Sequence, residues 1–383
     1  MFIQKVNIWD LGTKINIKVT KKFLCLINNE IKKQFRTKRA VHKEIIKYYQ
    51  ISFLTFKSRI KPSYKFFIDL EVFLNLCKIL KISLDYFQNN IIAYKSRGGV
   101  NYIDNPNLPI KISPIFDMLI AHHIGDGTVV NPKRNRKPYF GYRQFDRKYM
   151  QLYTKKMESV FGRIQNKNPY KDKTRTYSPT SVSNLFFETY GLSTRNFLSK
   201  SARIPNNILK KNSKHLLAFL LGIIIDDGHV DSTEIVIGLH NRNLTKDLQK
   251  VCDLLGYKTT YTEKTKEDGS EYGFLHILKN GLLKLWKDYS QLLVQYPEID
   301  LGYKAEQIQQ GLEISKRKIK RTPGNDKVIL DLFATKSCTV NEIAKEIKMT
   351  RQGVRYHITK LLEQGKIKHV GTAGENNFVY ATI

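Results

Sequence analysis

The sequence predicts an α+β protein: a central pair of αββαββα repeats, a small helical domain before them, and a domain of three helices and a hairpin after them. Three observations carry this. An apolar helix ending in aspartate and glycine occurs twice, as Leu119-Ile120-Ala121-His122-His123-Ile124-Gly125-Asp126-Gly127 and as Leu220-Leu221-Gly222-Ile223-Ile224-Ile225-Asp226-Asp227-Gly228. Asp126 and Asp227 are 101 residues apart, a spacing that marks two similar half-domains and not a solenoid. After each copy the hydrophobic period runs through two strands, a helix, two strands and a helix.

In chain order, Ile3, Val6, Ile8 and then Ile15, Ile17, Val19 alternate weakly, which predicts a short hairpin or extended arm over residues 1 to 20. From Lys21 to Ile92 the period is helical, with a helix over Ala40 to Tyr49, another capped by Ser52, a third over Asp69 to Leu80 and a last short one capped by Ser83. Residues 1–93 are therefore read as an N-terminal helical domain. Residues 94–107, rich in Gly, Asn and Pro, are read as a linker.

The double repeat is placed at 108–315, divided into 108–200 and 201–315. Ser113-Pro114 opens the first motif helix, and Ser213 is expected to cap the second. Strands follow at Val129-Val130 and Tyr139 to Asp146 in copy one, and at Ile235 to His240 in copy two. The next helices, Lys148 to Phe161 and Leu244 to Leu255, close at Gly162 and Gly256. Further strands (Thr174 to Val182; Thr259 to Tyr261 and Tyr272 to Leu278) lead into helices at Asn184 to Tyr190 and Asn280 to Tyr289. Residues 316–325 form a basic linker. Over 326–383 the pattern is helix (Asp326 to Ala334), helix capped by Thr339, helix (Arg351 to Glu363) and two strands around a Gly371 to Asn377 turn.

The charge narrows the function. There are 65 Lys and Arg against 34 Asp and Glu, a formal net charge of +31. Such a field favours a polyanion, most commonly nucleic acid; the other reading is a basic soluble enzyme whose lysines reflect codon usage. Cys25, Cys77, Cys252 and Cys338 stand apart, without CxxC or paired His spacing, and read as reduced buried thiols. Met1 to Gly12 has no signal-peptide pattern. The longest apolar run, Leu216 to Ile225, is about half of a membrane span. These features predict an intracellular protein of the cytoplasm or nucleoid with no membrane contact.

If the motif helices pack side by side, Ala121, Gly125 and Gly222 let their backbones approach and Asp126 and Asp227 come together. Two close carboxylates repel unless a proton or divalent cation lies between them, and Mg²⁺ suits such a pair because water and phosphate oxygens complete its shell. Two-metal phosphodiester hydrolysis uses such a site. A single apolar helix ending in Asp-Gly is an ordinary turn; two copies in a basic chain point to chemistry.

These residues resemble the LAGLIDADG homing endonucleases in their two-motif, single-chain form, over roughly residues 108 to 310. Ala202-Arg203-Ile204-Pro205 and Asn107-Leu108-Pro109-Ile110, ahead of the two motifs, add to the likeness. The resemblance implies a pseudo-twofold saddle, double-strand cutting of DNA with Mg²⁺, metal held by Asp126 and Asp227, and a monomer with internal symmetry. Ile124 and Ile225 replace the family's earlier motif aspartate, and Asp226 replaces a small residue, so that it either loosens the helix packing or adds a third carboxylate. A polar water-orienting residue is expected at the end of the strand before the next helix, and counting back 16 from Gly162 and Gly256 selects Asp146 and His240. Lys279 is the candidate basic residue. His122 and His123 read as packing residues.

For contact with double-stranded DNA the candidates are Lys133, Arg134, Arg136, Lys137, Arg143 and Arg147 in copy one and Arg242, Lys258 and Lys264 in copy two; a solvated charged loop is the other reading. The helices before residue 93 resemble a Cro/repressor-type helix-turn-helix with Ser52 to Arg59 as the groove-reading helix, or a generic bundle. Val340-Asn341-Glu342-Ile343-Ala344 followed by Thr350 to Ile358 resembles a winged helix-turn-helix, in which Arg351, Gln352, Arg355 and Tyr356 would face the major groove. Two functions remain open: a site-specific endonuclease, or a transcription regulator that keeps an inactive LAGLIDADG fold to grip DNA.

Overall fold

The computed structural model describes residues 4–11, 14–130, 139–144, 146–165, 175–190, 197, 200–231, 233–265, 267–316, 324–373 and 378–383. Lys133, Arg134, Arg136, Lys137 and most of the basic linker lie outside them.

The N-terminal segment contains β1 (Lys5–Val6), a short 3-10 turn, β2 (Ile15–Val19), α1 (Lys21–Phe35), α2 (Lys38–Ile45), α3 (Phe53–Arg59), β3 (Ile68–Asp69), α4 (Leu70–Leu80), α5 (Leu84–Gln88), β4 (Ile91–Ser96), β5 (Tyr102–Asp104) and β6 (Ile110–Lys111). Thr20, Thr37, Ser52, Asp69 and Ser83 each cap the helix that follows by accepting a backbone N–H. Phe23, Phe73 and Phe87 meet at the centre with ring centroids 5.4 to 5.9 Å apart. Among the described residues of the first twenty, the two strands do not pair as a hairpin. β1 pairs with β6, while β2 enters another sheet between β3 and β4.

The stretch 94–107 differs from the expected linker. Gly98, at φ 75°, makes the turn between β4 and β5, so here glycine marks a hairpin.

The first half-domain runs through α6 (Pro114–Ile124), β7 (Gly127–Val130), β8 (Tyr139–Arg143), α7 (Arg147–Phe161), β9 (Arg163–Gln165), β10 (Arg175–Tyr177) and α8 (Thr180–Tyr190). β9 leaves this repeat and pairs with β5, completing a sheet of order β3-β2-β4-β5-β9. The N-terminal domain thus shares both a sheet and a hydrophobic core with the first half-domain. The strand expected to reach Val182 stops at Tyr177, because Val182, Leu185 and Phe186 are buried at helical spacing.

The second half-domain contains α9 (Asn206–Leu209), α10 (Ser213–Asp227), β11 (Gly228–Val230), β12 (Ile235–Leu239), α11 (Arg242–Leu255), β13 (Thr259–Thr265), β14 (Glu271–Ile277), α12 (Lys279–Gln295) and α13 (Tyr303–Lys316). Asn212, not Ser213, caps α10, accepting from the Lys214 and His215 amides. Its sheet has the order β11-β12-β14-β13, against β10-β8-β7 in the first half.

α6 and α10 pack against each other at the centre and are buried on all sides along most of their length, as helices apolar around their whole circumference must be. A Cβ on Gly222 would lie 2.6 Å from the Ala121 Cβ, so only glycine permits this approach. At the ends away from the aspartates, buried Asp117 of α6 accepts from Lys211 Nζ at 2.8 Å and faces His215 Nδ1 of α10 at 2.6 Å. That ionic clamp joins the two halves across the interface.

The last domain comprises α14 (Asn325–Thr335), β15 (Cys338–Thr339), α15 (Val340–Glu346), α16 (Arg351–Glu363), β16 (Ile367–Thr372) and β17 (Phe378–Thr382). Thr339 and Glu342 close a capping box on α15. The domain has its own core of Ile329, Phe333, Ile343, Val354, Ile358 and Leu361 with neighbours. β15, β17 and β16 form its sheet.

Candidate functional site

The carboxyl ends of α6 and α10 emerge together. Asp126 follows α6 and Asp227 ends α10, both half-buried. The glycine after each is required by proximity. A Cβ on Gly127 would lie 2.2 Å from the His123 carbonyl oxygen, and one on Gly228 2.6 Å from that of Ile224.

Asp226 neither loosens the interface nor points into the open. Its side chain is fully buried opposite Gly125, where an added Cβ would come within 2.7 Å of its Oδ2. It accepts from Tyr142 Oη at 2.7 Å and from the Asp126 amide at 3.4 Å, and faces His122 Nδ1 at 3.0 Å. The third carboxylate is thus a cross-helix tie. His123 stacks on Phe140, centroids 4.0 Å apart, and faces Tyr153 Oη at 2.8 Å. Burial drives both histidines well below their usual pKa, so they are neutral packing groups.

Gln144 is the polar side chain that reaches Asp126, donating from Nε2 to Oδ2. It continues the inward alternation of Phe140 and Tyr142, a signal present in the sequence. Asp146, two residues on, is exposed and caps α7 through the Lys148 amide. In the second half, Gly228 pairs with Ile237 as Gly127 pairs with Tyr142, so the counterpart of Gln144 is Leu239. His240 is one residue off that register and exposed, its ring 3.8 Å from that of Tyr272. A count of 16 back falls two residues past Gln144 in the first half and one past Leu239 in the second, the difference being the one extra residue of α7 over α11. One residue moves a strand side chain to the opposite face.

Lys279 does not come to the site. Leu275 of β14 is level with Ile237, and Lys279 lies four residues further, exposed at the start of α12. A buried cation that the sequence did not reveal, besides Lys156 of α7, is Lys304 of α13. It is 5 % exposed, and its Nζ donates to the carbonyls of Ile224 and Ile225, the former at 2.7 Å. No local pattern marks it, since α13 follows the motif by about eighty residues.

Burial is the first cause that raises all three acids. Asp126 is pushed up to about 7 by burial and then by Asp226 and Asp227, and Asp226 to about 7 by burial. Asp227 is pushed up to about 6 by burial and then by Asp226, while Lys304 opposes the rise in each. A carboxyl whose folded pKa exceeds its unfolded value near 4 binds more protons when folded, so its contribution is present below about pH 4 and is lost as pH rises towards 7. In chelator, the melting temperature should therefore fall between about pH 4 and pH 7, and less steeply in Asp126→Asn. Thermal denaturation across that range checks this, and equal slopes for the two proteins would contradict it.

The outward sheet faces carry the remaining candidates. In the first half Arg143 ends β8, exposed beside Arg175, and Arg147 opens α7, also exposed. In the second half Lys258 is exposed before β13, and Lys264 lies over the Phe274 ring at 5.5 Å, with Tyr272 and His276 on the same face by alternation. Arg242 is held by Glu263 and Glu271, so its charge is spent within the protein. On α16, Arg351, Gln352, Arg355 and Tyr356 are all exposed, opposite the buried stripe Val354, Ile358, Leu361.

Residues 203–277 match the family model described as homing endonuclease, and residues 327–368 match that described as winged helix-turn-helix DNA-binding. Among solved structures, one similar to this chain is a mesophilic variant of the homing endonuclease I-DmoI (TM-score 0.36, 15% identity, covering 51% of this chain and 97% of that one). A second is the homing endonuclease I-WcaI bound to its DNA recognition sequence (0.31, 15%, 51% and 87%). A third is full-length DUF199/WhiA from Thermatoga maritima (0.31, 10%, 66% and 90%). Among the described residues no helix is long and apolar enough to cross a membrane.

Proposed function

We propose, from the match of residues 203–277 to the homing endonuclease model and of residues 327–368 to the winged helix-turn-helix model, that the chain is a site-specific endonuclease that cuts both strands of double-stranded DNA with a divalent cation. The observation that carries this is the pair of half-buried aspartates, Asp126 and Asp227, at the adjoining ends of two tightly packed helices in a chain of net charge +31.

The donor set fits a hard cation. Asp126, Asp227 and the surrounding carbonyls offer oxygen alone, and Mg²⁺ takes one or two carboxylates and completes its shell with water and phosphate oxygens. Among the described residues no three His, Cys, Asp or Glu side chains form a closed metal cage, which such an ion does not need. When bound there, the cation would polarise the scissile phosphate and lower the pKa of the attacking water.

The chain's own residues do the rest. Asp126 and Asp227 hold the cation; Gln144 fixes the Asp126 carboxylate and orients water beside it. Asp226 and Tyr142 lock the register of α6 against the neighbouring half, and Lys304 ties down the end of α10 while supplying positive charge. The outward sheet faces, with Arg143, Arg147, Lys258 and Lys264, contact DNA backbone and groove edges. Arg351, Gln352, Arg355 and Tyr356 of α16 read a second stretch. Both half-domains lie in one chain, so a monomer suffices.

Incubating the full chain and Mg²⁺ with genomic DNA from the neighbourhood of its gene, and sequencing the ends produced, tests this. Paired cuts on opposite strands at one site, missing from the Asp126→Asn, Asp227→Asn protein, are expected. A regulator is the second reading, favoured by Leu239 standing where the first half has Gln144. Promoter occupancy that is equal for both proteins, without cuts, would establish it instead.

A further inference from the structure

The chain that leads into β3 carries Tyr64, Lys65, Phe66 and Phe67 in succession. Phe67 lies down on the outward face of the N-terminal sheet. Lys18 of β2 and Lys95 of β4 sit over its ring at 4.7 and 4.8 Å, and Tyr102 of β5 meets it nearly edge-on, with centroids 5.4 Å apart. This knot anchors the segment to three strands and keeps two ammonium groups beside it. Phe66 stays outside the knot. It is 72% exposed, and its ring contact is with Tyr64, 5.5 Å away.

Between this segment and the end of β2 runs a groove of about 530 Å³. Tyr64, Phe66 and Ile92 give it apolar surface, and Lys18, Lys21 and Lys65 give it positive charge. No carboxylate or carboxamide side chain lines it, and among the described residues none of the three lysines is ion-paired. An open ring beside uncompensated ammonium groups is met by one kind of ligand, flat bases carried on a phosphate chain. In a duplex the faces of each base are covered by its neighbours, so a protein ring can stack only on an unpaired strand. A ribose 2′-hydroxyl would call for an acceptor of the kind this groove lacks.

We propose that this groove binds single-stranded DNA: Phe66, braced by Tyr64, stacks on an unpaired base, and Lys18, Lys21 and Lys65 hold the phosphates on either side. The proposal rests on the reading of the chain as DNA-binding for its choice of sugar, and goes beyond it in the form of DNA taken and in a site outside the double repeat. Because β5 pairs with β9, the sheet behind the groove is built into the first half-domain. Its ligand is then an unpaired strand of the DNA that this half grips.

The test is fluorescence anisotropy of the full chain in EDTA on labelled oligothymidylate about 12 nucleotides long, beside oligouridylate of that length and a random-sequence duplex. Phe66→Ala should weaken the oligothymidylate complex by about tenfold and Phe66→Trp should keep it, with duplex affinity unchanged in both. Lys21→Gln, Lys65→Gln should lower the slope of log K against log salt on the single strand by about 1.4, at about 0.7 for each phosphate. Melting temperatures equal to wild type check that the variants are folded. The proposal is overturned if wild type does not bind the single strand, or if Phe66→Ala binds it as wild type does. It is overturned equally if that variant loses duplex affinity by the same factor, or if oligouridylate binds more tightly than oligothymidylate. With metal absent and no cleavage measured, the assay can fail while the nuclease reading stands, and the reverse.

Discussion

Asparagine in place of Asp126, or of Asp227, should abolish cleavage of both DNA strands while leaving DNA binding intact. Each substitution keeps the shape of the side chain and removes one of the two anionic donors, so the groove and its lysines are untouched. A cation held at such a site is worth several kcal/mol of transition-state stabilisation; a loss of at least about 10³-fold, or about 4 kcal/mol, is expected for either variant. Both strands should fail together because the two aspartates share one cluster: the charge on Asp227 already raises the pKa of Asp126. Single-turnover cleavage with each strand labelled, beside gel-shift affinity, checks this. A variant that cuts one strand at the wild-type rate would mean two independent sites, and one that cuts both within about tenfold would remove the aspartates from the chemistry.

The second large effect concerns Gln144. Among the described residues only the first half-domain places a polar side chain against its motif aspartate, since Leu239 occupies the matching position in the second. Wild-type protein should therefore cut its two strands at different rates and accumulate a nicked intermediate. Gln144→Leu should slow the faster strand by about 10²-fold, the usual worth of a positioned proton-transfer or water-orienting group, and so abolish the difference. Leu239→Gln should speed the slower strand. Equal rates for both strands in the wild type, unchanged by Gln144→Leu, would refute the assignment.

The residues that sequence patterns located are those governed by their near neighbours. Helix caps at Ser52, Ser83 and Thr339, the all-round apolar helices α6 and α10, and the buried stripe of α16 follow from periods and capping within a turn or two of chain. Glycine at 125, 127, 222 and 228 beside the aspartates was equally readable. Gln144 lay within reach too, two residues past Tyr142 on the same strand face, but a fixed count of 16 back from Gly162 and Gly256 led to Asp146 and His240, two residues and one residue past Gln144 and Leu239. A count taken from the far end of a helix carries no information on strand register.

What the sequence by itself determined is the α+β double repeat with a winged helix after it and the packing of the two motif helices against each other, because a repeated apolar helix has nowhere to go except against its copy. Only the tertiary structure decided that Asp226 ties the halves through Tyr142, that Lys304 reaches the carbonyls of α10 from a helix far along the chain, and that β9 joins the N-terminal sheet. Those outcomes depend on strand register and on side chains meeting across large sequence separations. Such contacts leave no periodic trace, because neither partner's neighbours in the chain constrain where the other will lie.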